Sequence, residues 1–300
     1  MVPFVVAGVD GSSESLAAAE WAAREAGRRA RPLRLVHVRN WHPHRVDGER
    51  ASAVQRHMAR RVLREAEDRV RAACPDVFVS DEQVDGPATA ALLRVAEQAE
   101  VLVLGSRGLS GLTGFLVGSV ALGVVAKATR PVVLVRADEE PGDEHLPAGD
   151  GSTATRPRYR DVVMGVDLSE PCDEVIEFAF EAARLRRAGL RVVHAWQAPF
   201  ALGLGPGELA LLGEPQRAQE WQGFLSAVLE PWREKFPDVR VVETVPEDKP
   251  RSALLRATSE ASLCVVGHRL TEAPMGPRTG PVTHAVIHHV GCPVAVVPHV

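Results

Sequence analysis

The residues with the clearest chemical meaning form one run, Gly105-Ser106-Arg107-Gly108-Leu109-Ser110-Gly111-Leu112-Thr113-Gly114-Phe115-Leu116-Val117-Gly118-Ser119. The spacing is G-x2-G-x9-G-S, with two further glycines inside. Glycine tolerates positive φ and has no Cβ, so such a run can turn its backbone N–H groups toward an incoming anion. Gly118-Ser119 opens a helix expected over Val120–Ala128, whose free amides, from Val120 onward, and Ser119 hydroxyl suit a phosphate. Arg107 can touch the same phosphate. The run lacks Gly-Lys-Ser/Thr and is not a Walker A loop. Asp10 falls just beyond an apolar run, where its carboxylate can accept from a ribose hydroxyl or an adenine amino group. Val38 ends a second apolar run and offers a wall for a base. A structural reading competes at each position. Glycine loops often only make tight turns, and Asp10-Gly11-Ser12 before a helix is also an N-cap. His37 and His194, flanked by apolar residues, read as hydrogen-bonded core histidines rather than ligands or bases.

The elements that position these residues occur twice. Gly8-Val9-Asp10-Gly11-Ser12 recurs as Gly165-Val166-Asp167-Leu168-Ser169, and Leu35-Val36-His37-Val38 as Val192-Val193-His194-Ala195. Residues 8 to 165 and 37 to 194 are both separated by 157 positions. Farther on, Ala91-Leu92-Leu93-Arg94 recurs as Ala253-Leu254-Leu255-Arg256, and Arg130-Pro131-Val132 as Cys292-Pro293-Val294, now 162 apart. The five-residue change (162 − 157) is a net insertion within the second copy. Such collinear blocks announce a tandem repeat.

Each copy alternates unbroken Val/Leu runs with Ala-rich helical stretches. The runs expected as strands are Phe4–Val9, Leu33–Val38, Val77–Val84, Val101–Leu104 and Val132–Val135, with counterparts from Val162 to Val297. Runs apolar on both faces between helices mean a parallel sheet covered on both sides. The fold class is therefore α/β: two doubly wound domains, each with five strands and with ligands at the strands' carboxyl ends. The expected boundaries are 1–137 and 159–300. The acidic, Pro/Gly-containing stretch 138–158 is read as a solvated linker.

Bulk properties exclude other classes. With 35 basic against 39 acidic residues, the chain has no basic footprint for nucleic acid. The Arg-rich stretches (Arg28 to Arg34, Arg60 to Arg71) alternate with Glu, Asp and Ala and read as solvated helix faces. Cysteines 74, 172, 264 and 292 lack CxxC spacing, which argues against a zinc site or disulfide framework. No leader is evident and no apolar run approaches membrane-spanning length, so a soluble cytoplasmic protein is expected.

With these motifs in place, the sequence resembles the universal stress protein family, in particular its tandem-domain members. The resemblance rests on Gly8-Val9-Asp10-Gly11-Ser12, Val36-His37-Val38, Val103-Leu104-Gly105-Ser106, the glycine run and Arg130-Pro131-Val132-Val133-Leu134-Val135. It implies a flavodoxin-like, Rossmann-like strand order of 3-2-1-4-5 and ATP as the ligand, with Mg²⁺ left open. It implies nucleotide contacts at Asp10, Val38, Gly105, Gly108, Gly118 and Ser119, beside those read above for Arg107 and Val120. It also implies dimerisation through the last strand, either between chains or as a pseudo-dimer of the two copies.

The second copy departs from the pattern. Gly108 becomes Leu270, Gly111 becomes Ala273, Leu112 becomes Pro274, Ser119 becomes Pro281, and Val38 becomes Ala195. Proline at the helix start removes an amide donor and the hydroxyl together. One competent site per chain, in the first copy, is the expectation. The function expected is an ATP-binding stress-response or regulatory switch. A scaffold with vestigial loops and a slow ATP hydrolase are the alternatives, and no catalytic residue is assigned.

Overall fold

The computed structural model describes residues 3–39, 49–106, 117–137, 140–146, 158–197, 214–270 and 279–300, without side chains at 49–53 and 214–216. Arg107 and Gly108 lie outside the described residues, as do Ala273 and Pro274 of the second copy.

The first half runs β1 (Phe4–Gly8), α1 (Ser13–Arg29), β2 (Leu33–Arg39), α2 (Glu49–Ala73), β3 (Val79–Asp85), α3 (Ala88–Ala96), β4 (Ala99–Ser106), α4 (Ser119–Val125) and β5 (Val132–Arg136). The second runs β6 (Val162–Gly165), α5 (Asp173–Arg186), β7 (Leu190–Val193), α6 (Glu214–Lys235), β8 (Val241–Thr244), α7 (Pro250–Ala257), β9 (Leu263–Arg269), α8 (Pro281–His289) and β10 (Val294–His299). Among the described residues, no helix is long and apolar enough to cross a membrane.

The strands form one sheet ordered β3-β2-β1-β4-β5-β10-β9-β6-β7-β8. Each half thus has the order 3-2-1-4-5 in its own numbering. Pairing is parallel within each half. The halves join where β5 meets β10 antiparallel, with Val133 opposite Ala295.

Alternation along the strands builds two cores. Val5, Ala7, Val101, Val103 and Val133 face α1 and α2, and the same layer continues through α5 and α6 of the second half. Phe4, Val6, Leu102, Leu104 and Val132 face α3 and α4, and that layer continues through α7 and α8. This two-sided burial is why the strands read as unbroken apolar runs. The outer strand β3 carries Asp81, Glu82 and Asp85, charges that discourage further strand pairing.

Two readings of charged segments change. Arg28 and Arg29 do not form a solvated face; they close a buried ion cluster where α1 packs on α5. Glu25 accepts from Arg29 at 2.6 Å and from Arg186 at 2.8 Å. Arg29 also donates to Glu100 at 2.8 Å and to Glu181 at 3.1 Å. The acidic stretch after the first copy is not wholly solvated either. Glu144 is fully buried and pairs with Arg24 and Arg28, each at 3.1 Å. Burial by itself raises a carboxyl's affinity for a proton, but Arg186, Arg28 and Arg29 hold Glu25 well below the usual carboxylate range. Arg28 and Arg24 do the same for Glu144.

Candidate functional site

In a doubly wound sheet, the carboxyl ends of the central strands face a crevice. Register places the candidate residues there. Gly8 pairs with Val36, so Asp10 and Val38 each lie two residues beyond the same level. Ala7 pairs with Val103, which puts Gly105 on the next strand at that same end. The topology therefore gathers Asp10, Val38 and Gly105 on the adjacent strands β1, β2 and β4.

Asp10 is exposed at the crevice. Its Oδ1 accepts from the Ser12 amide at 3.0 Å and from the Ser12 hydroxyl at 2.5 Å. The helix cap is Ser12 itself, whose hydroxyl accepts from the Ser15 amide at 3.2 Å. Asp10 is thus held two residues ahead of the cap, and is not the cap. Asp167 holds the same position in the second half, accepting from Ser169 N–H at 3.0 Å and Ser169 hydroxyl at 2.6 Å.

The two histidines are hydrogen-bonded parts of the strand ends. His37 Nδ1 lies 2.8 Å from the Val9 carbonyl, and His194 Nδ1 lies 3.2 Å from that of Val166. Val38 is half-buried and packs on the same core layer as Leu92 and Ala121, as does its counterpart Ala195.

The two retained glycines differ in what they do. A Cβ on Gly105 would lie 2.5 Å from the Glu14 carbonyl carbon and 2.7 Å from the Ser15 amide nitrogen. Gly105 is required because the start of α1 rests on β4, a packing role the sequence reading did not assign. Gly118 caps α4 with φ −60° and ψ 149°, and among the described residues nothing lies within 4 Å of a Cβ built there. Among the described residues nothing demands glycine at 118, and Ser119 at the helix start is exposed, as is Val120. These described residues offer amide and hydroxyl donors, a carboxylate acceptor and an apolar wall at one end of the sheet.

The second half holds a cavity of about 570 Å³ at the equivalent strand ends. Its apolar lining includes Val166, Val193, Leu254 and Val266, and its polar lining includes Asp167, Glu170, Arg269 and His299. Gly280 and Pro281, the counterparts of Gly118 and Ser119, also line it. Pro281, one of the substituted positions, lines this open cavity, while Ala273 and Pro274 lie outside the described residues. In this half the Leu270 amide donates to the His299 carbonyl at 2.8 Å, and Pro281 has no amide hydrogen. The sequence reading missed this cavity. The signal was Glu170-Pro171 at the start of the helical stretch, which shortens α5. Among the described residues, no group of three or more His, Cys, Asp or Glu is arranged to hold a metal ion.

Comparison with known proteins agrees with this architecture. The universal stress protein family matches twice, over residues 1–136 and 158–298. A universal stress protein of Mycobacterium tuberculosis (strain ATCC 25618 / H37Rv) is 32% identical over 302 residues, covering 97% of this chain and 96% of its own. One from Mycolicibacterium smegmatis is 29% identical, covering 98% and 96%. Among solved structures, a universal stress protein from Archaeoglobus fulgidus DSM 4304 superposes with a TM-score of 0.69 at 18% identity, covering 98% of this chain and 97% of that one. That last likeness speaks for the fold. The chain belongs to the universal stress protein family.

Proposed function

We propose that this universal stress protein binds an adenine nucleotide, ATP in the first instance, at the strand ends of its N-terminal half. Occupancy acts as a conformational or interaction switch. The observation that carries the reading is the bare helix start at Gly118-Ser119, on the side of the sheet where Asp10 and Val38 emerge. Glycine at 118 lets a ligand come close to the helix amides, and the Ser119 hydroxyl, replaced by Pro281 in the second half, adds a donor.

In this reading Asp10 meets the nucleoside and Val38 walls the base. The amides at Gly118, Ser119 and Val120, with the Ser119 hydroxyl, hold the phosphates. Arg107 and Gly108 complete that set from the sequence. The pairing of the halves through β5 and β10 gives the switch a route, because α1 touches both the site and, at its far end, the α5 helix of the other half. The domain boundaries proposed remain 1–137 and 159–300.

Gly118→Val tests the site, since its backbone angles are extended with negative φ and a Cβ built there meets no described atom within 4 Å. Calorimetry with ATP is expected to give about one equivalent for the unaltered chain. Gly118→Val abolishes binding, and Gly280→Val leaves it intact. Two equivalents, or none, overturn the one-site reading. Phosphate release faster than about one per minute favours the hydrolase alternative.

A further inference from the structure

We propose that the C-terminal cavity is a second ligand site with the opposite phosphate preference: it takes an unphosphorylated, donor-bearing heterocycle of nucleoside size and rejects the phosphorylated form. This inference goes beyond the nucleotide reading of the N-terminal half and stands without it.

Size and lining make it a binding site. A volume of about 570 Å³ lies within the range of small-molecule pockets, roughly 300–1,000 Å³. Val166, Val193, Leu254 and Val266 supply an apolar floor, and half-buried Ala195 leaves room where the first half has the larger Val38. A flat ring suits that floor.

Among the described residues, three groups that could capture a phosphate in such a crevice are engaged and one is lost, while the Gly280 and Val282 amides remain. Pro281 removes the first amide of α8. The Leu270 amide is spent on the His299 carbonyl at 2.8 Å, and the Thr283 hydroxyl donates to the Gly267 carbonyl at 2.8 Å. Arg269, which stands where the first half has Arg107, is paired with Glu170. The first half has Ser13 at the Glu170 position. Two carboxylates, Asp167 and Glu170, therefore line the cavity, against one at the equivalent first-half positions. A polyanion entering meets their charge with its counter-cation already engaged. A ligand bearing hydroxyl or amino donors meets acceptors instead.

The rearrangement has a backbone cause. Helix α1 begins at Ser13, whereas α5 begins at Asp173, the counterpart of residue 16. The missing first turn, Glu170-Pro171-Cys172, no longer rests on the strand. A Cβ on Gly267 would instead meet the Val175 side chain at 3.1 Å and the His299 ring at 3.2 Å. Glu170 and Cys172 line the space so released.

The test uses the full chain in a Gly118→Val background, the change expected to block the first half, and the second-half variants assign any remaining binding to its half. Calorimetry compares adenosine, AMP and ATP. Adenosine is expected to bind at one equivalent, at least about tenfold tighter than AMP, with ATP not detected. Ala195→Phe and, separately, Gly280→Val remove adenosine binding, with an unchanged unfolding midpoint required of each; a Cβ at 280 meets no described atom within 4 Å. The double variant Glu170→Ser/Pro281→Ser frees Arg269 and restores an amide. It raises AMP affinity about tenfold while adenosine affinity stays within about twofold, a change that general destabilisation does not produce. AMP or ATP binding as tightly as adenosine, absence of adenosine binding, or adenosine binding unchanged by both filling variants overturns the proposal.

Discussion

Helices α1 and α5 are the same element in the two copies, and they differ at both ends. Arg29 and Arg186 are counterparts 157 residues apart, and both close on one carboxylate, Glu25. The counterpart of Glu25 is Ala182, so the pseudo-twofold pairing of the halves is broken at this cluster. At the other end, α1 has 17 residues and rests its start on Gly105, while α5 has 14 and starts one turn later. A repeat can thus keep its sheet, where both faces are buried, and diverge at helix ends, where one residue changes what the neighbouring strand can accept.

The largest effect is expected at the shared carboxylate. Glu25→Ala leaves Arg186, which is buried between the halves, without its partner. Removing one member of a buried pair costs about 3–5 kcal/mol, far more than the pair is worth against an apolar replacement. Urea unfolding is expected to show that loss; a loss below about 1 kcal/mol means that the cluster does not hold the halves together.

Acid reads the same contact. Glu25, Glu144 and Glu100 are all held below the ordinary carboxylate range in the folded chain. The unfolded chain then binds more protons, so their stabilisation is complete above about pH 4.3 and is lost as pH falls below it. The unfolding midpoint is expected to drop between about pH 5 and pH 3, less steeply in Glu25→Ala. Equal slopes in the two proteins contradict the assignment to Glu25.

The contrast explains what was legible in the sequence. Strands buried on both faces announce themselves as Val/Leu runs, and the repeated Gly-Val-Asp gives the copies and their order. The strand ends bearing Asp10, Val38 and Gly105 followed from that. Arg28, Arg29 and Glu144 misled because their cluster also draws on partners 71 to 152 positions away, which a local charge pattern cannot register. Gly105 looked like a phosphate glycine because strand-end glycines serve both close packing and ligand approach; only the position of Glu14 separates the two. The C-terminal cavity was not foreseen because the substitutions in this half, Pro281 among them, were read only for the phosphate donors they remove, and Pro281 nonetheless lines an open space.

The glycines at the strand ends carry the next effect. Gly105→Ala drives a methyl group into the backbone of Glu14 and Ser15 and has to displace the start of α1, an overpacking cost of about 1–3 kcal/mol. Gly267→Ala meets only the ends of Val175 and His299 at 3.1–3.2 Å, and side chains can yield. Its cost is expected below about 1 kcal/mol, offset in part by the lower entropy of the unfolded chain. Denaturation of the two variants side by side checks the ranking. Equal losses mean that α5 also rests on its strand and that the shortened helix is not what opened the cavity.

The smallest effect sharpens the comparison at a single atom. In α1 the Ser15 hydroxyl donates back to the Ser12 carbonyl at 2.9 Å, inside the first turn. Its counterpart Cys172 lies outside the helix and donates forward to Glu174 at 3.0 Å. Burial, together with that carboxylate, pushes the Cys172 thiol up to about 11. At pH 8 little thiolate is present, so alkylation by iodoacetamide is expected to be slow. Glu174→Gln removes the negative acceptor while burial remains, and it accelerates alkylation of Cys172 severalfold without a change in the unfolding midpoint beyond about 0.5 kcal/mol. The fully buried Cys264 thiol, pushed up to about 12 by burial with no carboxylate involved, serves as the internal control and does not respond. If both cysteines accelerate together, the second half has loosened as a whole, and the difference between the helix starts is not local to the missing turn.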